Sequence, residues 1–96
     1  MWIKWSGPAL EDICAILEYS REQEETDAFV GNLYKRIREP AKRLLLFPRS
    51  GRLSGLGETR EVRAGNLPYL LQYRVIGDMV EILRVLHTSR SRPAGQ

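Results

Sequence analysis

The fold of this chain is decided by residues 59–92, which read TREVRAGNLPYLLQYRVIGDMVEILRVLHTSRSR. Two runs rich in branched and aromatic side chains, residues 69–76 and 79–86, are separated only by Gly77 and Asp78. Such runs favour β-strands, and glycine and aspartate tolerate the positive φ that a tight two-residue turn requires. The segment is therefore predicted to form an antiparallel β-hairpin.

A two-residue turn also fixes which residues of the hairpin share a face of the sheet. It places Arg74 opposite Glu81 as an ion pair, Gln72 opposite Leu83, and Leu70 opposite Val85. The more apolar face is predicted to pack on the helices. It carries Tyr69, Leu71, Tyr73, Val75, Val80, Ile82, Arg84 and Leu86. The mixed face, predicted to be exposed, carries Leu70, Gln72, Arg74, Glu81, Leu83, Val85 and His87.

The start of the chain predicts a short strand and a helix. Apolar and polar side chains alternate at residues 1–5, which indicates a strand with one buried face. Ser6 is a good N-cap, and apolar residues then recur at helical spacing from residue 10 to residue 17. Cys14, the only cysteine of the sequence, falls on this apolar stripe, so we expect it to be a small buried side chain.

A second helix, a loop and a further strand lead to the hairpin. Apolar residues keep helical spacing from residue 29 to residue 45, with a kink or a short break expected at Pro40, which lacks a backbone donor. Residues 48–57 are rich in glycine and predict a loop, and residues 59–64 alternate like a strand. The predicted order is β-α-α-β-β-β, an α+β fold with a helical hairpin on one face of a mostly antiparallel sheet.

Length and composition limit the classes of function. Ninety-six residues make one domain, placed at residues 1–92, with a frayed tail at 93–96. The apolar runs are too short for a membrane span, and residues 1–5 do not begin a signal peptide, so a cytoplasmic protein is expected. With one histidine and one cysteine, we expect neither a metal site nor a cofactor.

The charge is unevenly distributed along the chain. The net charge is +3, with basic residues concentrated at 35–52 and again at 84–92, and acidic residues at 22–27. This asymmetry favours an acidic partner on the basic side. A mixed, solvated surface accounts for the same pattern equally well.

Several segments, in their order and spacing, resemble the RelE/ParE superfamily of bacterial toxins. They are the tryptophan-containing first strand, the helix around 9–19, LL…PRSGR at 44–52, TREV at 59–62, PYLLQYRV at 68–75 and ILRVLH at 82–87 with arginines after it. The resemblance covers roughly residues 2–92. It implies a toxin of a type II toxin–antitoxin module, neutralised by a cognate antitoxin that in turn commonly binds operator DNA.

The resemblance implies one of two activities. RelE-like members cut mRNA on the ribosome, using cations to stabilise the phosphate and a tyrosine, histidine or glutamate to move protons. ParE-like members have no known nuclease site and poison DNA gyrase, so that cleaved DNA accumulates. Operator DNA is reached in both types only indirectly, through the antitoxin.

The nuclease pattern is incomplete in this sequence. RelE-like toxins carry an arginine three residues before an aromatic in the third strand, and registration on Tyr73 puts Leu70 there. His87 stands one residue before the usual catalytic histidine. The closing Val-Leu-His with arginines is similar to ParE-type sequences, so we expect a gyrase poison without catalytic residues. The alternative is a ribosome-dependent endoribonuclease whose site residues are His87, Arg90, Arg60 and Arg63.

Two interaction surfaces are expected from these patterns. The first, on the exposed sheet face and its C-terminal end, is predicted to bind the target. Its residues are Arg74, Glu81, Arg84, His87, Arg90 and Arg92. The second is predicted to bind the antitoxin, and its residues are Leu70, Leu83, Val85, Arg36 and Arg43.

Overall fold

The computed structural model describes residues 1–90 and confirms the predicted α+β fold. Its elements are β1 (Trp2–Trp5), α1 (Gly7–Glu22), α2 (Asp27–Leu44), β2 (Arg52–Leu53), β3 (Arg60–Arg63), β4 (Tyr69–Ile76), β5 (Met79–His87) and a closing 3₁₀ turn (Thr88–Arg90). Arg92 of the predicted target surface and the predicted tail at 93–96 lie outside the described residues.

The strands of this part of the chain form one sheet in the order β1-β5-β4-β3-β2. β1 pairs with β5 in parallel and the other neighbours pair antiparallel, as the predicted mostly antiparallel sheet requires. The prediction of a loop throughout residues 48–57 is wrong at β2, where Arg52 pairs with Glu61 and Leu53 with Arg60. A strand of two residues is too short to show an alternating pattern.

The hairpin of β4 and β5 turns at Gly77 and Asp78, as predicted, and Gly77 has the positive φ of 56° that such a turn uses. Next to the turn, Ile76 pairs with Met79. Arg74 pairs with Glu81 in the predicted register. The two-residue turn therefore sets the register of the half of the hairpin that lies next to it.

A β-bulge changes the register in the second half. Tyr73 pairs with Ile82, but the preceding residue Gln72 pairs with Arg84, so Leu83 is an extra residue of β5. The predicted pairing of Gln72 with Leu83 is wrong for this reason. Every residue of β5 beyond the bulge lies on the face opposite to the predicted one, because side chains alternate with a period of two.

The bulge reverses the predicted burial of the residues after it. Val85 pairs with Leu71 and is buried in the core, so its predicted exposure and its predicted pairing with Leu70 are both wrong. Leu86 instead pairs with Leu70. The predicted packing of Leu86 on the helices is wrong as well, because the extra residue turns that part of the strand over. Arg84 is turned over in the same way, although its guanidinium still reaches α1 at Asp12.

Side chains from distant parts of the chain stabilise the bulge. The Ser6 hydroxyl donates to the Leu83 carbonyl oxygen at 2.9 Å and accepts from the Ala9 N–H at 3.1 Å, so the predicted N-cap of α1 also binds the bulge. The Asp12 carboxylate accepts from the Val85 N–H at 2.9 Å. Because the residues that stabilise the bulge lie far from β5 in the sequence, the sequence of β5 alone does not predict it.

Both helices pack on one face of the sheet and enclose the core. The buried cluster comprises Ala9, Ile13, Leu33, Ile37, Ala41, Leu44, Ala64, Leu71, Tyr73, Val80, Ile82 and Val85. Cys14 is exposed, and its predicted burial is wrong. It lies about 100° around the helix from the buried Ile13, which turns it away from the sheet.

Helix α2 runs without interruption from Asp27 to Leu44. The Thr26 hydroxyl accepts from the Phe29 N–H at 3.1 Å and caps it, as predicted. A break at Pro40, one of the two expectations for this position, does not occur. Pro40 is buried on the inner side of the helix, where packing on the sheet offsets its missing hydrogen bond.

Candidate functional site

A groove of about 450 Å³ lies between α1 and the C-terminal end of β5. It is lined by Ala15, Ile16, Tyr19, Tyr69, His87 and Ser89. The His87 ring meets the Tyr69 ring edge-on, with centroids 5.7 Å apart, and its Nδ1 lies 2.8 Å from the Ser89 hydroxyl. Aromatic walls with a few polar atoms are typical of surfaces that accept a side chain from a partner protein.

Arg84 of the predicted target surface is bound by a carboxylate of α1. Its Nε and Nη2 donate to the two carboxylate oxygens of Asp12 at 2.7 and 2.9 Å. These hydrogen bonds, and the Asp12 charge itself, raise the pKa of Arg84. The guanidinium is thereby fixed in direction while remaining half exposed. Asp12 was not singled out from the sequence, although it is an acidic residue beside Ala9 and Ile13 on the inner side of α1.

The other face of the sheet is covered by paired charges. Arg74 donates through Nε to Glu81 at 2.8 Å, which confirms the predicted cross-strand pair, and Lys4 lies 3.9 Å from the same carboxylate. Glu81 is buried beneath these two cations. The Glu81 carboxylate therefore offsets the positive charges of Lys4 and Arg74. Of the predicted Arg74–Glu81 pair, only Arg74 has a charged group that is exposed to solvent.

The residues predicted to bind the antitoxin are not gathered on one surface. Val85 is in the core, Leu70 is buried, and Leu83 is half buried at the bulge. Arg36 and Arg43 are exposed on α2. A continuous apolar sheet surface made of the first three side chains is therefore absent from the described residues, and only the two arginines keep the exposure that was expected.

The loop between α2 and β2 is fastened to the core by Tyr73. The Tyr73 hydroxyl donates to the Pro48 carbonyl oxygen at 2.8 Å and accepts from the Gly51 N–H at 2.9 Å. Arg60 donates to the carbonyl oxygens of Gly51 at 2.8 Å and Arg49 at 3.3 Å. An inward-facing tyrosine needs a partner for its hydroxyl, which was the available sequence signal for this anchor.

Replacing Tyr73 by phenylalanine is expected to lower the free energy of unfolding at pH 7 by about 2 kcal/mol, because Gly51 and Pro48 lose their partner. Burial raises the pKa of Tyr73, against the opposing effects of the Gly51 hydrogen bond and the Arg60 charge. The unfolded tyrosine therefore ionises first, and stability falls as the pH rises from about 10 towards the folded pKa.

The Tyr73→Phe protein should show a shallower loss of stability above that pH, measured by urea denaturation at a series of pH values. The exposed Tyr19, changed to phenylalanine in the same way, is the control and should follow the parent curve. Parallel curves for the parent and Tyr73→Phe above pH 10 would contradict the assignment.

Three residues of the alternative nuclease site, Arg60, Arg63 and His87, lie apart from one another in the described part of the chain. Arg60 pairs with the core residue Tyr73, and Arg63 pairs with Leu70 on the opposite face. Arg63 donates to the Leu67 carbonyl oxygen, and His87 faces α1 across the groove. The backbone of Arg90, the fourth residue of that site, closes the described chain in the 3₁₀ turn.

Residues 1–90 show neither a metal site nor a membrane span. They contain no group of three histidine, cysteine, aspartate or glutamate side chains placed to hold an ion. Neither α1 nor α2 combines the length and the hydropathy that crossing a bilayer requires.

Comparison with known proteins agrees with this fold. Residues 3–92 match the family described as the ParE toxin of the type II toxin–antitoxin system parDE. The toxin candidate Y4kP of Sinorhizobium fredii is 34% identical over 91 residues, which cover 95% of this chain and 92% of that protein. A chain of the chromosomal ParDE toxin–antitoxin system from P. aeruginosa superposes with a TM-score of 0.80 at 25% identity, covering 91% of this chain and 95% of that one.

The chain belongs to the ParE family of toxins of type II toxin–antitoxin systems. The family match extends over both helices and every strand of the sheet, apart from the first residue of β1. The ParE-like resemblance inferred from the sequence is thereby confirmed, and with it an antitoxin partner.

Proposed function

We propose that this ParE-family toxin binds DNA gyrase in the cytoplasm and stabilises the enzyme's cleaved-DNA state. Its effect comes from binding, without bond-making chemistry of its own. Release from the antitoxin then arrests growth, and in a plasmid-borne module it favours cells that keep the plasmid. Operator DNA is contacted only through the antitoxin.

The dispersal of the nuclease residues is the observation that carries this proposal. Cleavage of RNA needs proton transfer and positive charge around a single phosphate. Arg60 is bound by loop carbonyls, and Arg63 lies across the sheet from the face that His87 shares with Tyr69. These three side chains therefore do not surround one phosphate. A toxin that acts by binding to its target does not require such an arrangement.

The groove between α1 and β5 is the surface we assign to the target. It has aromatic walls, His87 at its rim and the oriented Arg84 three residues earlier in the same strand. In the sequence, Arg90 and Arg92 follow within five residues of His87. Buried aromatic contacts with arginine at the edge are the usual composition of an energetically important protein interface.

A gyrase cleavage assay tests the proposal. The purified chain is added to gyrase, supercoiled plasmid and ATP, and linear DNA is measured after detergent and protease treatment. We expect linear DNA that requires both the toxin and gyrase and that disappears when antitoxin is added. Unchanged supercoiling and no linear DNA at saturating toxin would contradict the proposal.

Replacing His87 by alanine separates binding from catalysis. As one contact among several in the groove, His87 is expected to contribute about 10-fold or less to the potency of gyrase poisoning. As a general acid or base of a nuclease it would contribute about 10²–10⁴-fold. Potency is read from the toxin concentration that gives half-maximal linear DNA. A loss of the larger size would contradict the role of one contact among several. Cutting of mRNA by the parent chain that His87→Ala abolishes would identify His87 as a catalytic residue and overturn the assignment.

A further inference from the structure

Three consecutive apolar side chains after α2 are turned towards solvent. Leu44, the last residue of the helix, is fully buried, whereas Leu45, Leu46 and Phe47 are 38%, 77% and 65% exposed. We call these three residues the apolar platform. A shallow cleft of about 420 Å³, lined by residues 46–50, adjoins it. Scattered apolar residues are common on protein surfaces, but a contiguous run this exposed indicates a binding site.

The apolar platform is held rigid. The N–H groups of Leu46 and Phe47 still donate to the Arg43 carbonyl oxygen, at 3.1 and 2.9 Å, and so extend the last turn of the helix. Immediately afterwards, the carbonyl of Pro48 is bound by the core residue Tyr73. The side chains are therefore presented in a fixed arrangement, which lowers the entropy lost on binding.

Along the sequence, the charged residues on either side of the apolar platform are basic. Residues 42–57 contain four basic residues and no acidic one. Within residues 1–90, Lys42 pairs with Glu39 and Arg52 with Glu61. Arg43 and Arg49 flank the apolar platform in sequence and form no ion pair with the described residues. Apolar surface between two available cations is complementary to an acidic, amphipathic segment.

We propose that the apolar platform is a docking site for an acidic amphipathic segment of the antitoxin. Apolar side chains of that segment would cover Leu46 and Phe47, and its carboxylates would pair with Arg43 and Arg49. A second copy of this chain would bring like charges together. The family match and the ParDE neighbour supply an antitoxin as the partner of this toxin, and an exposed apolar run is the kind of surface that a protein partner covers. This inference rests on the toxin–antitoxin part of the proposed function and not on gyrase as the target.

Binding of the purified antitoxin of the same module, measured by calorimetry with no gyrase present, tests the inference. Leu46→Ser and Phe47→Ser are each expected to raise the Kd by about 10-fold or more, as truncation of central interface residues does. Arg49→Glu should also weaken binding and reduce its dependence on salt. Ile76→Ser is the matched control, because Ile76 is similarly apolar and 46% exposed but lies at the β4–β5 turn.

An unchanged antitoxin affinity in both serine variants would overturn the inference. If those variants had also lost gyrase poisoning, the apolar platform would be assigned to the target. If they had instead abolished a concentration-dependent dimer of the parent, it would be assigned to a second copy. A chain that never poisons gyrase but loses antitoxin affinity in the serine variants would support the inference even though the target proposal had failed.

Discussion

Replacing Gly51 by alanine is expected to lower the free energy of unfolding by about 3 kcal/mol, because the added methyl group has no room and the nearby hydrogen bonds are disturbed. A Cβ at this position would lie 2.6 Å from the Glu61 carbonyl oxygen and 2.6 Å from the Tyr73 hydroxyl. Neither atom can retreat easily, since one belongs to the backbone of β3 and the other to a buried side chain that binds Gly51 itself. The loop anchor must therefore shift as a whole.

Gly31→Ala is the matched control, and its effect on the free energy of unfolding should have the opposite sign. Gly31 lies inside α2 with open space around the position of a Cβ, so alanine should raise the free energy of unfolding by up to about 1 kcal/mol through its higher helix propensity. Both values are measured by urea denaturation followed by circular dichroism. Equal effects of the two substitutions would contradict the close packing of Gly51.

Replacing Asp12 by alanine is expected to lower the free energy of unfolding by about 2 kcal/mol, because two groups lose a charged partner at once. Asp12 accepts from both Arg84 nitrogens and from the backbone N–H of Val85. That N–H lies just beyond the stretch of β5 that β1 covers. Water can replace only part of these contacts, since the Asp12 side chain is largely covered.

Glu39→Ala provides the comparison for an ordinary surface ion pair. Glu39 lies 3.6 Å from Lys42, and both side chains are well exposed, so its removal should change stability by less than about 0.5 kcal/mol. Asp12→Ala should in addition reduce gyrase poisoning, because Arg84, a residue of the predicted target surface, loses its fixed direction. An Asp12→Ala protein as stable and as potent as Glu39→Ala would show that this carboxylate neither supports β5 nor orients Arg84.

The parts of the fold set by local sequence were predictable. The Gly77-Asp78 turn fixed the register from Ile76 to Tyr73, and Ser6 and Thr26 marked the helix starts. The bulge at Leu83 was not predictable, because its backbone groups are satisfied by residues of the β1–α1 region rather than by its neighbours in sequence. One extra residue then moved Val85 from the predicted partner surface into the core.

The candidate surfaces were predicted less completely than the fold. Arg84 and His87 were predicted to contact the target because they lie near the end of the last strand, and this remains a prediction. The carboxylate that orients Arg84 comes from α1 and was not predicted. The apolar platform was hidden in the sequence, since the apolar run from Leu44 to Phe47 continues the apolar face that was predicted for the second helix up to Leu45. Only the end of α2 at Leu44 separates the buried member of that run from the exposed ones.

The central claim is that the toxin acts on gyrase and not on mRNA, and the order in which macromolecular syntheses stop tests it most directly. Cells induced for the toxin are pulsed with labelled thymidine and labelled leucine over the first minutes, and mRNA is examined for new ends in the same samples. Incorporation of thymidine falling first, with intact mRNA, is the predicted result. Incorporation of leucine falling first, with mRNA cut at codons while DNA synthesis continues, would contradict the account and establish the endoribonuclease.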